Sequence, residues 1–180
     1  MNRKKININD YAGQILTALP KGILLTTKAD GKVDTMTIGW GTLGINWGDP
    51  TFCAYIREHR FTAEQLAKNP QFTISVSVGD YDKKIVGIAG STSGRDTDKI
   101  AATGVTLVDG ETIDVPAIAE LPLTLECEVV YKQLQKIAYF SEEQVTRWYP
   151  QDVPSSATGA NKDPHYMVFG KIVDAYILEK

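Results

Sequence analysis

The segment GILLTTKADGKVDTMTIGW, residues 22–40, decides the fold class of this chain. Two runs rich in apolar and β-branched residues flank Asp30 and Gly31, and an Asp-Gly pair in that position is a strong signal for a tight β-hairpin turn. The segment therefore predicts two antiparallel strands, over residues 22–27 and 33–40, as the start of a β-meander.

The rest of the chain continues this pattern of short strands and turns. Further strands are predicted over residues 51–57, 72–78, 123–131, 138–140 and 166–177, and a second hairpin around Asp109-Gly110 joins residues 105–108 to 112–115. Short helices are predicted over residues 10–19, with Asp10 as N-cap, and over 61–69, 80–89 and 96–103. This favours a mainly β fold with short helices, a β-barrel whose closure would remove exposed strand edges.

Length and composition bound the class of protein. A chain of 180 residues has the size of one domain, so we expect a single domain over residues 1–180. No apolar run is long enough to cross a bilayer, the net charge is −3, and the basic residues are scattered among acids, so neither a membrane nor nucleic acid is an expected partner. Cys53 and Cys127 lie in apolar patterns typical of buried thiols, which fits a cytoplasmic location.

Glycines and arginines mark two candidate ligand-contacting segments. Residues 34–44 carry three glycines in a strand pattern, which indicates either a bend in the sheet or a close backbone approach to a ligand. Arg57 and Arg60 stand between a strand end and a helix start, where guanidinium groups and free helix N–H groups suit a phosphate. The alternative is that both arginines are solvated or pair with nearby glutamates.

A third candidate is the stretch AGSTSGRDTDK, residues 89–99. Its hydroxyl groups, with Arg95 and Lys99, suit an anion or a polarised carbonyl, although a surface turn with a capped helix has the same composition. It lacks the Gly-Lys-Ser/Thr ending of a phosphate-binding P-loop and the GxGxxG pattern of a dinucleotide site. His165, at the start of the last strand, is a fourth candidate, although a lone histidine is more often structural.

Other chemistries find little support in the sequence. His59 and His165 share no metal-ligand spacing with other residues, so no metal site is predicted. Hydrolase signatures are also missing, and no catalytic residue is assigned. Residues 141–164 are polar and rich in Pro, Ser and Gly, and a segment of this length is often a binding loop or a lid, with Trp148 and Tyr149 as candidate lid residues.

In order and spacing, six segments resemble the flavin reductase-like family, which has the FMN-binding split-barrel fold and includes flavoredoxins. The segments are LPKGILLTT (19–27), TMTIGWG (35–41), YIREHRFT (55–62), FTISV (72–76), GRDTDK (94–99) and HYMVFGKIV (165–173). The chain departs from the family pattern at Asp34, where Asn is common, and at Gly39, where Ser is common before the Trp.

The resemblance implies a homodimer that holds FMN near the subunit interface. Residues 35–40 would line the isoalloxazine ring, and residues 57–62 and 91–99 would approach the ribityl phosphate or the ring edge. The implied FMN contacts are Thr35, Met36, Thr37, Ile38, Gly39, Trp40, Arg57, Arg60, Phe61, Thr62, Ser91, Ser93, Gly94, Arg95, Lys99 and His165.

The resemblance also implies an activity, that of an FMN-binding oxidoreductase which passes electrons from NAD(P)H to flavin or another acceptor. One alternative is a flavoredoxin-like electron carrier that binds FMN without nicotinamide-dependent turnover. Another is a ligand-binding barrel with no redox function. The sequence leaves open the donor, the acceptor, whether FMN is cofactor or substrate, and whether residues 141–164 form a lid or a dimer arm.

Overall fold

The computed structural model describes residues 1–179 as a mainly β protein with short helices, as predicted. These residues contain ten strands: Asn2–Lys5 (β1), Ile23–Ala29 (β2), Lys32–Ile38 (β3), Gly41–Asn46 (β4), Asp49–Arg57 (β5), Gln71–Val76 (β6), Leu107–Val108 (β7), Ala117–Ile118 (β8), Leu123–Leu134 (β9) and His165–Glu179 (β10). The α-helices are Ile8–Ala18 (α1), Phe61–Lys68 (α2), Lys84–Ser91 (α3), Lys99–Thr103 (α4) and Glu142–Trp148 (α5), and two 3₁₀ helices cover Leu19–Lys21 and Ile137–Tyr139.

Eight of the strands form one antiparallel sheet that stays open. Its order is β3-β2-β6-β9-β10-β5-β4, and β1 pairs with the end of β10. Within residues 1–179 no ladder joins β3 to β4, so the expected closure of the barrel through hydrogen bonds is wrong. These two end strands are nevertheless consecutive in the chain, and only Gly39 and Trp40 connect them.

The hairpin of β2 and β3 turns at Asp30 and Gly31, as predicted. Ala29 pairs with Lys32 across the turn. Both turn residues have a positive φ, 50° for Asp30 and 76° for Gly31, as a two-residue type I′ turn requires.

The glycine-rich segment over residues 34–44 is divided between two strands. β3 ends at Ile38 and β4 begins at Gly41, so the chain changes direction where the glycines begin. A Cβ on Gly41 would lie 2.8 Å from the Phe52 ring and 3.1 Å from the Cys53 carbonyl oxygen. This glycine therefore lets β4 lie directly against β5, which is the bend interpretation of the segment.

The main hydrophobic core joins the sheet to α1 and α2. Ile15 of α1 and Leu66 of α2 are buried against strand residues such as Phe52 and Phe72. On β10, a Cβ at Gly170 would lie 2.4 Å from the Phe72 ring, so the aromatic ring occupies the space that a side chain would need. The packing holds together β5, β6 and β10, and the end of β5 and the start of β10 carry the candidate site.

The hairpin predicted around Asp109 and Gly110 is wrong. Leu107–Val108 pairs with Ala117–Ile118, and residues 112–115 are not a strand. The chain instead curls around the buried carboxylate of Glu126, which accepts hydrogen bonds from the N–H groups of Glu111 and Thr112 at 2.6 and 2.7 Å. Burial alone would raise the pKa of Glu126, but these hydrogen bonds lower it overall.

The strand predicted over residues 138–140 is also wrong, because this stretch has no strand beside it. It forms the 3₁₀ helix Ile137–Tyr139, and the Tyr139 side chain is 81% exposed. Helix α5 follows, with a capping box formed by Ser141 and Gln144 that sequence reasoning missed. The long polar segment thus begins with a helix.

The predicted helices exist with shifted boundaries. Asn7, not Asp10, caps α1, because its side chain accepts the N–H of Asn9. The helix predicted over residues 96–103 begins only at Lys99, after its N-cap Asp98. Among residues 1–179 no helix is long and apolar enough to span a bilayer.

Candidate functional site

Two adjoining cavities lie beside the connection from β3 to β4. The first, of about 380 Å³, is bounded by the start of α2, by residues 91–96 and by residues 155–158. The second, of about 200 Å³, is bounded by residues 36–40 and by Trp148 and His165. Arg57 and Arg60 line both cavities, so the two cavities adjoin at these arginines and form two compartments of one site.

Among the cations that line the first cavity, Arg60 has the most hydrogen-bond donors without a partner in the described part of the protein. It precedes Phe61, the first residue of α2, whose leading N–H groups have no acceptor within the helix. Within the described chain its guanidinium makes one long hydrogen bond, 3.5 Å from Nη1 to the Gly90 carbonyl oxygen. Burial lowers the pKa of Arg60 and the charge of Asp34 opposes this shift. Three groups that can bind an anion thus lie together: the Arg60 guanidinium, the N-terminus of α2 and the buried hydroxyl of Thr62.

Arg57 has a different role, because its donors are directed at the protein's own backbone. Nη1 donates to the carbonyl oxygens of Asp163 at 2.5 Å and Asn161 at 3.3 Å, and Nη2 donates to that of Trp148 at 3.0 Å. The guanidinium also lies over the Tyr149 ring, 5.4 Å from its centroid. Arg57 therefore fastens both ends of residues 148–163 to the end of β5.

The segment at residues 91–99 supplies one wall of the first cavity, but its cations point elsewhere. Arg95 pairs with Glu64 of α2 and donates to the His59 carbonyl oxygen at 3.0 Å. Ser93 accepts the N–H of Arg95, and its hydroxyl closes the turn. This wall therefore offers the cavity small residues and hydroxyl groups more than charge.

Lys99 also lines the first cavity, but its amine is held by the protein. Its Nζ donates to the carbonyl oxygens of Thr35 at 2.9 Å and Ala89 at 3.3 Å, and lies 3.6 Å from Asp34 Oδ1. Burial lowers the pKa of Lys99 and raises that of Asp34, and each shift is opposed by the charge of the other group. A Cβ on Gly94 would lie 2.3 Å from Asp34 Oδ1, so a glycine is needed beside this pair.

The second cavity has an aromatic wall built around Trp40. The Trp40 ring is 4.9 Å from the Trp148 ring, edge to face, and 5.1 Å from the His165 ring. Thr37, on the facing wall, donates to the Val86 carbonyl oxygen at 2.6 Å, which fixes the end of β3 against α3. The flat aromatic surfaces and the exposed strand end suit a planar ligand.

Hydrogen bonds assign the tautomer of His165. The His165 main-chain N–H and the Tyr149 hydroxyl both donate to Oε1 of Gln135, at 3.3 and 2.9 Å. Because the hydroxyl proton is then used, the 3.0 Å contact between Tyr149 and His165 Nδ1 requires a proton on Nδ1. Nε2 is left as an acceptor, and burial with the charges of Arg57 and Arg60 lowers the pKa of His165 to about 3.

A third, more open and apolar cavity of about 550 Å³ adjoins the second. The two cavities share Gly39, Trp40, Tyr55 and Trp148, and Leu16 and Phe140 lie on the far side of the third. Trp148 therefore stands between them, at the end of α5. The lid role of Trp148 stays a prediction, and Tyr149, the other candidate, is 3% exposed and held by hydrogen bonds.

The structure brings together fifteen of the sixteen residues predicted to contact FMN. Every one except Thr35 lines the first or the second cavity. Thr35 lies behind the wall, where its hydroxyl interacts with Thr26 and its carbonyl with Lys99. The residues predicted to contact FMN did not include Tyr55 of β5 or the loop residues 155–161, although residues 141–164 were named as a candidate binding loop or lid; Arg57 is one of the contacts that hold this loop.

Comparison with solved structures shows a common fold. The FMN-binding domain of a flavin reductase-like enzyme from Shewanella baltica is 14% identical with a TM-score of 0.64, and the match covers 98% of this chain and 77% of that one. Flavoredoxin of Desulfovibrio vulgaris is 22% identical with a TM-score of 0.63, over 88% of this chain and 69% of its own. An NADH:FAD oxidoreductase of Streptomyces globisporus is 17% identical with a TM-score of 0.59, over 87% and 75%.

The sequence itself gives the family. No protein of curated function matches it. Residues 17–180 match the flavin reductase like domain, which is nearly the whole chain, and the split-barrel fold agrees with that match. The chain therefore belongs to the flavin reductase-like domain family.

Proposed function

We propose that this protein binds FMN across the first and second cavities and passes electrons from NAD(P)H to flavin or to another acceptor. The observation that carries this proposal is the division of one site into a polar, cationic compartment and a flat, aromatic one that meet at Arg60. FMN has the same two parts, a phosphate and a planar ring. The names of the structural relatives, an FMN-binding domain and an NADH:FAD oxidoreductase among them, support it.

The phosphate end fits the first cavity. Arg60, the first N–H groups of α2 and the hydroxyl groups of Thr62, Ser91 and Ser93 are donors that suit a phosphate dianion. Arg57, Arg95 and Lys99 act through the protein, because their donors hold backbone carbonyls or Glu64. We therefore assign Arg60 as the main charged contact and the other three as positioning residues.

The ring end fits the second cavity. Residues 36–40 and the aromatic pair Trp40 and Trp148 would hold the isoalloxazine system and exclude water from part of it. When bound, flavin supplies the reversible uptake of a hydride or of electrons. The Tyr149 and Gln135 contacts hold a proton on His165 Nδ1, which leaves Nε2 of this cavity-lining residue as a hydrogen-bond acceptor.

A nicotinamide must reach one face of the ring, and the adjoining third cavity offers a path. We propose that Trp148, which separates the second and third cavities, controls this access. Trp148→Ala should change both NAD(P)H turnover and the quenching of flavin fluorescence by iodide. If both measurements match the unaltered protein, Trp148 is not a lid.

The second candidate function is that of an electron carrier, favoured by the likeness to flavoredoxin from Desulfovibrio vulgaris. A carrier would hold FMN but would not oxidise NADH or NADPH in steady state. Turnover with free FMN or FAD as acceptor supports the reductase, and its absence with a fully loaded protein supports the carrier.

We also propose that the protein is a homodimer. Ile45, in β4, and Trp47, in the turn after it, are 67% and 66% exposed, and Trp47 forms an aromatic cluster with Tyr131 and Phe169. Aromatic side chains of this kind are enriched at protein interfaces. Light scattering should show twice the mass of one chain, and Trp47→Asp should shift the measured mass towards that of one chain.

The cytoplasmic location stays a prediction, and the free, buried thiols of Cys53 and Cys127 are compatible with it.

The decisive test is the visible absorption of the purified protein, followed by titration of the stripped protein with FMN. We expect a flavin spectrum and one FMN per chain. A colourless protein that takes up no FMN contradicts the proposal and supports a ligand-binding barrel without redox function.

A further inference from the structure

Three metal-ligating side chains meet at the rim of the first cavity. Glu58 and His59 directly follow β5, and Asp163 stands two residues before β10. These strands pair with Arg57 opposite His165, and the Glu58 N–H donates to the Pro164 carbonyl oxygen at 3.1 Å. The strand pairing thus places two sequence-distant segments side by side.

The spacing of the ligand atoms matches a small divalent cation. His59 Nδ1 lies 3.1 Å from Asp163 Oδ2 and 3.7 Å from Glu58 Oε1, and the three ligand atoms all lie within 4.8 Å of one another. In a tetrahedral site with bonds of about 2.0 to 2.1 Å, ligand atoms are about 3.4 Å apart. The two distances from His59 Nδ1, 3.1 and 3.7 Å, lie on either side of that value.

The Asp163 carboxylate supplies an independent indication of a ligand. Its side chain is 3% exposed, and Oδ2 has no hydrogen-bond partner among residues 1–179, although His59 Nδ1 is near. The other oxygen accepts the Ser155 hydroxyl at 2.6 Å, and the Asp163 N–H donates to Asn161 at 3.0 Å. This buried, rigidly held carboxylate therefore has one oxygen that accepts no hydrogen bond within the described residues and lies 3.1 Å from an imidazole nitrogen, an arrangement in which a cation can bind between the two.

We propose that Glu58, His59 and Asp163 bind a divalent transition-metal cation of the Zn²⁺ type. One imidazole and two carboxylates are ligands that Zn²⁺ takes, whereas Mg²⁺ and Ca²⁺ prefer more oxygen ligands and no imidazole. His59 and Asp163 line the first cavity, so water from that cavity can reach the cation and complete its coordination. The cation adds positive charge beside Arg60 and ties the long segment to β5.

The test uses the untagged, full-length protein, stripped of metal with a chelator and without added flavin, so that it is independent of FMN binding. Titration with Co²⁺ should give the visible absorption of a tetrahedral site at one equivalent, and Zn²⁺ should displace it. His59→Gln should weaken Zn²⁺ binding by at least about 100-fold, since losing a ligand costs more than losing its outer-shell partner. His59 is exposed, so this variant should fold.

Asp96→Asn is the matched control, because Asp96 is an exposed acid on the same cavity that lies outside the cluster. It should bind Zn²⁺ as the unaltered protein does. The proposal is overturned if Co²⁺ gives no tetrahedral spectrum, or if His59→Gln and the unaltered protein bind Zn²⁺ equally. Either result leaves His59 and Asp163 as a simple ion pair.

Discussion

Lys99 and Asp34 form a buried ion pair at the wall of the first cavity, with Nζ 3.6 Å from Oδ1 and both side chains at most 3% exposed. Asp34 Oδ2 has no hydrogen-bond partner within residues 1–179, so Lys99 carries most of the compensation for its charge. Because Lys99 also binds the Thr35 carbonyl oxygen, the pair fixes the strand that leads into the site.

Removing one member of this pair should be costly. Lys99→Met leaves Asp34 charged and unpaired, and we expect a loss of about 3 to 5 kcal/mol in the free energy of unfolding, measured in urea. The double variant Lys99→Met with Asp34→Asn should recover most of it. Lys171→Met, which breaks the half-exposed pair with Asp49, should cost at most about 1 kcal/mol. Equal losses in the single and double variants would contradict this account.

Arg57→Lys should loosen the long segment without unfolding the sheet. A lysine cannot reach three carbonyl oxygens with the planar fork of a guanidinium, so we expect a loss of about 2 to 3 kcal/mol. Hydrogen exchange should quicken over residues 149–164. Arg95→Lys, at an exposed pair, is the control and should leave this exchange unchanged; protection that survives Arg57→Lys would show that other contacts hold the segment.

Arg60→Met should weaken FMN binding by about 10- to 100-fold, because a hydrogen bond from a charged donor contributes about 1.5 to 3 kcal/mol. Quenching of FMN fluorescence measures this affinity. Arg95→Met is the matched control, since the Arg95 guanidinium is paired with Glu64, and it should change the affinity far less. Equal effects of the two substitutions would remove Arg60 from its assigned role.

His165 should make the protein less stable in acid. Its pKa is lowered to about 3 in the folded protein against 6.5 for a free histidine, so the unfolded chain binds the proton more readily. Stability is complete above pH 6.5 and falls as the pH decreases towards 3, by about 2 kcal/mol at pH 5. The free energy of unfolding, measured in urea across this pH range, should depend less on pH for His165→Gln than for the unaltered protein. If the two pH profiles run parallel, His165 is not the group responsible.

Much of the fold follows from local patterns. The turn at Asp30-Gly31 and the alternation in β9 are local, and the sequence predicts these strands accordingly. Two errors, at the N-cap of α1 and the capping box of α5, are themselves local, and others occur where a distant residue decides the structure. Residues 112–115 leave the strand pattern where Glu126 accepts the N–H groups of Glu111 and Thr112, and nothing near them in the sequence indicates that carboxylate.

In the candidate site, too, some features follow from nearby residues and others depend on residues far away in the sequence. Residue types near strand ends and helix starts predicted which segments would meet, but not which donors stay free. Arg57 and Arg60 look equivalent in the sequence, and only the path of residues 148–163 gives Arg57 three carbonyl partners. The cluster of Glu58, His59 and Asp163 has no spacing motif because strand pairing, not chain proximity, assembles it.

The two-residue connection at Gly39 and Trp40 has a thermodynamic consequence. Since it joins the two ends of an open sheet, a ligand held against residues 36–40 touches the seam across which the barrel is split. If β3 and β4 moved apart, the surface that holds the ligand would be lost. Ligand binding therefore stabilises the arrangement in which the two strands lie together. Ligand at a hundred times its Kd would thus add about 2.7 kcal/mol to the free energy needed to separate β3 from β4.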